Sequence, residues 1–200
     1  MGTPAFAVPC LQTLLNHPDE VQVVGVITQP DRPSGRGKKL TPSPVKVLAE
    51  AHSLPVLQPE RLRKDEDMMA WIEAQQADAL ITIAFGQILP LRVLQASRLG
   101  TINVHASLLP AYRGANPIQW SILNGDTTTG LTTMFSDEGV DTGAMLLTST
   151  TDIYPNDTTG SLAERLSHQA GDLLMQTLRQ LVAGSLEPQP QPNEGITLAP

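Results

Sequence analysis

Two hundred residues, 40 % of them hydrophobic, suit one domain with a sizeable core and argue against a disordered chain. A net charge of −7 argues against a protein that coats nucleic acid nonspecifically, and Cys10, the only cysteine, excludes an internal disulfide and fits a reducing compartment. The apolar runs are of strand length and the opening residues lack a basic stretch, so neither a membrane span nor a secretory signal is expected, and a cytoplasmic location is.

Apolar positions at helical spacing predict a helix from about Ala7 to Leu15, with Pro9 confined to its first turn. Val21 to Thr28 is a nearly continuous β-branched run, the pattern of a central strand buried on both faces. Gln29 to Pro44 holds four prolines and two glycines with little to bury, which predicts an exposed loop. Arg32, Arg36, Lys38, Lys39 and Lys46, five of the thirteen basic residues, fall between positions 29 and 46. A solvated charge run is the plain explanation, and Gly35-Arg36-Gly37-Lys38-Lys39 lacks the spacing of a nucleotide phosphate loop. Val45 to His52 reads as a helix and Leu54 to Leu57 as a short strand. Asp65 to Ala74 reads as a helix with Met68, Met69 and Ile72 turned inward. Ala79 to Ala84 is the next buried strand, and Phe85 to Pro90 is the turn that leaves it, with backbone exposed at Gly86.

Thr101 to His105 alternates as a strand does, so Asn103 and His105 project from one face. Pro110, without a backbone donor, ends the element and leaves this pair at a strand's carboxyl end, where open parallel sheets bind ligands. Asn103 offers an amide donor for a developing oxyanion, and His105 offers a proton near neutral pH. Asp141, in the Gly139-Val140-Asp141-Thr142-Gly143 turn, is placed to orient the imidazole. The three residue types suit acyl transfer. Tyr112, Arg113 and Gly114 either shape a substrate mouth or form a plain turn.

Pro117 starts a helix over Ile118 to Leu123. Leu131 to Phe135 and Met145 to Ser149 read as strands joined by the Asp137 to Gly143 turn. A long helix spans about Ser161 to Val182, with an apolar stripe at 162, 166, 170, 173, 174, 178 and 181. His17, His52 and His168 are scattered surface or packing residues. No Cys, His and carboxylate cluster has ligand spacing, so no metal is expected. From Leu186 the composition turns to alternating Pro and Gln, the mark of an extended linker.

Asn103-x-His105-x-Ser107-Leu108-Leu109-Pro110-x-Tyr112-Arg113-Gly114-x-x-Pro117, followed by Asp137-Glu138-Gly139-x-Asp141-Thr142-Gly143, resembles the signature of the folate-dependent formyltransferases. Within that superfamily, Met1-Gly2-Thr3-Pro4 to Pro9 and the run Thr28 to Lys46 are similar to the branch whose acceptor is initiator methionyl-tRNA. The resemblance covers the whole chain. It implies a Rossmann-like, doubly wound α/β fold with a mostly parallel sheet, occupying residues 1–184. Residues 185–200 would lead as a linker toward a carboxyl-terminal β domain. The family pattern opens with a strand that ends at Met1, and that first strand is expected to be missing here. The resemblance also implies 10-formyltetrahydrofolate as formyl donor and Asn103, His105 and Asp141 as catalytic residues, stabilising a tetrahedral intermediate. Folate contacts are implied at Phe85, Gly86, Gln87, Ile88 and Leu89, at Ser107, Leu108, Leu109 and Pro110, and at Asp137, Glu138, Gly139 and Val140. Arg32, Arg36, Lys38 and Lys39 would grip the tRNA acceptor arm through its phosphates. The protein is expected to act as a monomer, without a metal or a membrane.

Three alternatives compete. A formyltransferase of the same fold acting on glycinamide ribonucleotide or a sugar nucleotide amine would have little use for the basic loop. Ser107, His105 and Asp141 are the residue types of a hydrolytic triad, of the kind a formyltetrahydrofolate hydrolase would need, but Ser107 lacks a nucleophile-elbow context. A non-catalytic folate- or RNA-binding module would bind without turnover.

Overall fold

The computed structural model describes residues 1–34 and 39–200. Short strands and helices intersperse the first half of the chain. A 3₁₀ turn at Ala5–Ala7 runs into α1 (Val8–Leu15), which carries Pro9 in its first turn. After it come β1 (Val26–Ile27), β2 (Arg32–Ser34), β3 (Lys39–Thr41), α2 (Pro44–Ala51), β4 (Val56–Leu57), α3 (Glu66–Ala74), β5 (Leu80–Thr82) and α4 (Leu91–Leu94). The second half holds β6 (Thr101–His105), α5 (Pro117–Leu123), β7 (Thr128–Phe135), β8 (Met145–Asp152) and α6 (Thr159–Val182).

Helix starts follow their capping chemistry. The Ser43 hydroxyl accepts from the Lys46 amide at 3.1 Å ahead of Pro44, and Asp65 accepts from the Met68 amide at 3.0 Å. At α6, Thr158 and Ser161 satisfy each other's backbone donors in a capping box.

The doubly wound α/β reading holds, with a mixed sheet. β1 pairs with β4 in parallel, and β5, β6, β7 and β8 lie side by side, with β5 and β6 parallel and the last two neighbours antiparallel. Helices cover both faces. Val26 joins a core cluster with Leu11, Leu166 and Leu174, whereas its neighbour Ile27 joins a second one with Met69, Ile72 and Phe85. Met68, Met69 and Ile72 are buried, as their spacing predicts.

Met1 and Gly2 link the two parts of the sheet. The Gly2 amide donates to the Ile27 carbonyl at 3.1 Å, and the Ile83 amide donates to the Met1 carbonyl at 2.9 Å. Beside them lies a cavity of about 730 Å³, bordered by residues 20–26 and 75–79 and floored by α1 and α6 side chains such as Leu14 and Met175. It lies between β1 and β5. The cavity also explains why β1 is shorter than the predicted Val21 to Thr28. Val21 to Gly25 meet open space on that side, and a strand is regular only where a ladder holds it.

Three further differences have local causes. The Gln29 to Pro44 loop contains an antiparallel ribbon, with Arg32 opposite Thr41 and Ser34 opposite Lys39; proline is tolerated in β2 because a two-stranded ribbon leaves one edge free of hydrogen-bonding demands. α4 spans four residues, too short to show a periodicity. Residues 186–200 are extended, as their composition predicts, but lie against the domain through backbone pairs of Gln189 with Met145 and of Thr197 and Ala199 with Arg113. No helix among the described residues is long and apolar enough to cross a membrane.

Candidate active site

β6 lies between β5 and β7, and its alternation turns Ile102 and Val104 into the core and Asn103 and His105 to the other face. Thr82 stands opposite Asn103 in the parallel register, and its hydroxyl donates to Asn103 Oδ1 at 2.9 Å. That bond fixes the amide orientation, so Nδ2 faces outward, where it donates to Asp141 Oδ1 at 3.3 Å.

His105 is buried, with Nε2 2.8 Å from the Tyr112 carbonyl. A carbonyl only accepts, so Nε2 carries a proton and Nδ1 is the atom free to gain or lose one. Nδ1 lies 3.6 Å from Asp141 Oδ2, which also accepts from the Gly114 amide at 2.9 Å. The turn carrying Asp141 begins beyond Phe135, which pairs with Ile102 near the start of β6. A left-handed backbone at Asp141, φ 52°, brings its carboxylate onto Asn103 and His105. The three predicted groups therefore converge in one place.

Ser107 is not part of this group. Its hydroxyl donates to the Ala111 carbonyl at 2.6 Å, its carbonyl accepts from Thr132, and both nitrogens of His105 face other partners. No hydrolytic triad is assembled. The neighbouring Leu108 and Pro110 are half-buried and Leu109 is buried.

The Phe85 to Leu89 loop is held from below. Gln29 Nε2 donates to the carbonyls of Phe85 and Gly86 at 3.0 and 3.2 Å. Gly86, at φ 76°, admits that amide, which would lie 2.6 Å from a Cβ. The Gln87 side chain bonds Leu62 and Pro59, while Ile88 is exposed. In the other loop, Asp137 accepts from the Gly139 amide and the Thr142 hydroxyl, and Glu138, Gly139 and Val140 are exposed.

Arg32 and Lys39 are exposed on the ribbon, whereas Arg36 and Lys38 lie outside the described residues. Lys46 differs from the other basic residues nearby. It pairs with Asp31 at 2.7 Å and bonds Gln58 at 2.8 Å, and together these hold the Asp31 carboxyl below its ordinary range. Gln58 and Arg32 in turn bond Gln29, so the ribbon's base is tied to the Gly86 loop.

Sequence reasoning missed Thr82, the Tyr112 carbonyl, Gln29 and Gln191, which donates to the carbonyls of Asp141 and Gly143 at 2.8 and 2.9 Å. Among the described residues, no group of three or more His, Cys, Asp or Glu side chains is arranged to hold a metal ion.

A formyl transferase family profile matches residues 1–178. A methionyl-tRNA formyltransferase from Synechococcus sp. (strain JA-3-3Ab) is 54 % identical over 199 residues, which cover 100 % of this chain and 62 % of the relative. The chain thus spans less than two thirds of that protein's length. The crystal structure of a phosphoribosylglycinamide formyltransferase from Bacillus halodurans superposes with a TM-score of 0.74 at 20 % identity, covering 91 % of this chain and 93 % of its own. An N-formyltransferase from Helicobacter canadensis, in complex with folinic acid and dTDP-3-aminofucose, does so with a TM-score of 0.69 at 20 % identity, covering 99 % and 68 %. The structural likenesses establish the fold, and the profile match, from Met1 to Leu178, establishes that the chain belongs to the formyl transferase family.

Proposed function

We propose that the chain carries the catalytic unit of an enzyme that transfers a formyl group from 10-formyltetrahydrofolate to the α-amine of initiator methionyl-tRNA. The convergence of Asn103, His105 and Asp141 is the observation that carries this reading.

The donor supplies an activated formyl carbon. As the acceptor amine attacks it, charge grows on the formyl oxygen, the bond to N10 breaks, and a proton must pass from the attacking to the departing nitrogen. Asn103 uses one N–H on Asp141 and has a second to hold the oxygen, in an orientation set by Thr82. His105 Nδ1 and Asp141 Oδ2, 3.6 Å apart, take the proton directly or through a water and return it to the leaving nitrogen. Asp141 stabilises the imidazolium that forms in between.

Two loops suit the folate. Ile88 and Val140 are apolar side chains exposed on the Phe85 to Leu89 and Asp137 to Val140 loops, fit to wall a flat ring, and the 85–89 backbone supplies hydrogen-bonding groups. Ser107 to Pro110 completes the wall. The Helicobacter neighbour is in complex with folinic acid, a folate. The exposed Arg32 and Lys39, together with Arg36 and Lys38, suit the phosphates of an acceptor arm, and methionyl-tRNA is the substrate named for the 54 % identical relative. In this reading residues 1–184 act as a cytoplasmic, monomeric catalytic unit, and residues 185–200 lead to a further RNA-binding domain.

The test supplies labelled 10-formyltetrahydrofolate with methionyl-tRNA, glycinamide ribonucleotide or an amino sugar nucleotide. Formylation of methionyl-tRNA alone is expected. Alanine at Arg32, Arg36, Lys38 and Lys39 should weaken use of the tRNA and flatten its salt dependence while folate binding persists. Preference for either small amine, or an unaltered salt slope, would overturn the acceptor.

A further inference from the structure

We infer that Gln191 is a positioning residue, whose carboxamide holds the Asp141 carboxylate at His105 by tying the 139–143 turn to Arg113. This rests on the formyl-transfer reading of the Asn103, His105 and Asp141 group.

Gln191 sits in the extended segment whose composition predicts a mere linker. Its Nε2 donates to the carbonyls of Asp141 at 2.8 Å and Gly143 at 2.9 Å. Its Oε1 accepts from Arg113 Nε at 3.0 Å and Nη2 at 2.7 Å. Both donors and both lone pairs of the side chain are therefore in use, and they join the two loops that meet at the candidate site. Asp141 needs such a hold because it is a non-glycine residue at φ 52°, a conformation that persists only when its surroundings impose it.

The same segment acts on Asp141 a second time. The carboxylate accepts from the Gly114 amide, and residues 197–199 run beside Gly114. The Arg113 amide donates to the Thr197 carbonyl at 2.9 Å, the Ala199 amide donates to the Arg113 carbonyl at 2.7 Å, and the Asn116 amide donates to the Ala199 carbonyl at 3.0 Å. A Cβ on Gly114 would come within 2.6 Å of that Ala199 carbonyl, so the missing side chain lets the segment sit there. Gln191 thus fixes the Asp141 backbone, while residues 197–199 fix the loop that supplies its carboxylate with a donor. Ala199 is fully buried by this contact.

Gln191→Glu keeps the acceptor for Arg113 and the length of the side chain but removes both donors to the turn; Gln191→Ala removes everything. Amide hydrogen exchange and single-turnover formyl transfer are measured on both variants and the parent chain. Both variants should speed exchange of the Gly114 amide by about tenfold or more and leave the Ile102 amide in the core of β6 unchanged. Turnover should fall about tenfold, with the folate KM within about twofold. Exchange and turnover at parent values in Gln191→Glu would overturn the proposal, because pairing with Arg113 would then suffice. Faster exchange at Gly114 and Ile102 together would also overturn it, as general destabilisation, and so would faster exchange at Gly114 with unchanged turnover. A parent chain that transfers no formyl group in any assay would instead defeat the formyl-transfer reading, and the Gly114 exchange would still decide whether Gln191 holds the turn.

Discussion

Thr82 decides which way the Asn103 amide faces, and through it where the candidate oxyanion donor points. Thr82→Val removes the hydroxyl while keeping the shape, so the amide loses its anchor. Transfer should fall about tenfold, the scale of one lost hydrogen bond, with folate affinity retained. Single-turnover rates check this, and an unchanged rate would show that Asp141 alone orients Asn103. Asn103 and His105 were legible because a strand's period of two puts them on one face whatever surrounds them. Thr82 was not, since its place opposite Asn103 depends on the register between strands that lie twenty residues apart in sequence. The partner of His105 Nε2 is a main-chain carbonyl, and main-chain partners leave no trace in residue type. Ser107 shows the converse, a residue type that fits a triad and a hydroxyl committed elsewhere.

At the scale of elements, the helices other than the four-residue α4 were read within a residue or two because their starts are written in side chains, at Ser43, Asp65, Pro117 and Thr158. Strand ends depended on neighbours and were read less well, as Val21 to Gly25 show. α6 offers a test. Ahead of it, Asp157 accepts from Arg165, from the Tyr154 amide and from the Ser161 hydroxyl, and chiefly the Arg165 guanidinium holds its carboxyl well below the usual range. A carboxyl whose value is depressed in the folded state stabilises fully above the unfolded value of about 3.9 and loses that contribution as pH falls through the folded one. Asp157→Asn should therefore lower Tm by a few degrees at neutral pH, and the gap should narrow below about pH 4. Thermal melts across pH check this, and a gap independent of pH would assign the effect to cap geometry alone.

Across the whole molecule, a cavity separates β1 from β5. The Met1 amine donates to the Ile81 carbonyl at 2.6 Å there, and burial pushes its pKa down to about 5 from 8.0. Between those values the unfolded chain binds more protons than the folded one, so this group makes stability rise with pH across that window. A strand-forming extension ahead of Met1 would replace the amine with a neutral peptide and pair with both edges. It should raise Tm, by about 2–4 °C for each kcal/mol that the added pairing contributes in a chain of this length, and remove that pH dependence. An extension that leaves both unchanged would show that the cavity does not take a strand. Formyl transfer at this site depends on proton transfer at His105. The most direct test is single-turnover formylation of methionyl-tRNA by the parent chain and by His105→Ala, with folate and tRNA binding measured alongside. Proton transfer by His105 predicts a loss of about 10² to 10⁴ in rate with both affinities within about twofold of the parent, whereas transfer at the parent rate by His105→Ala would contradict it.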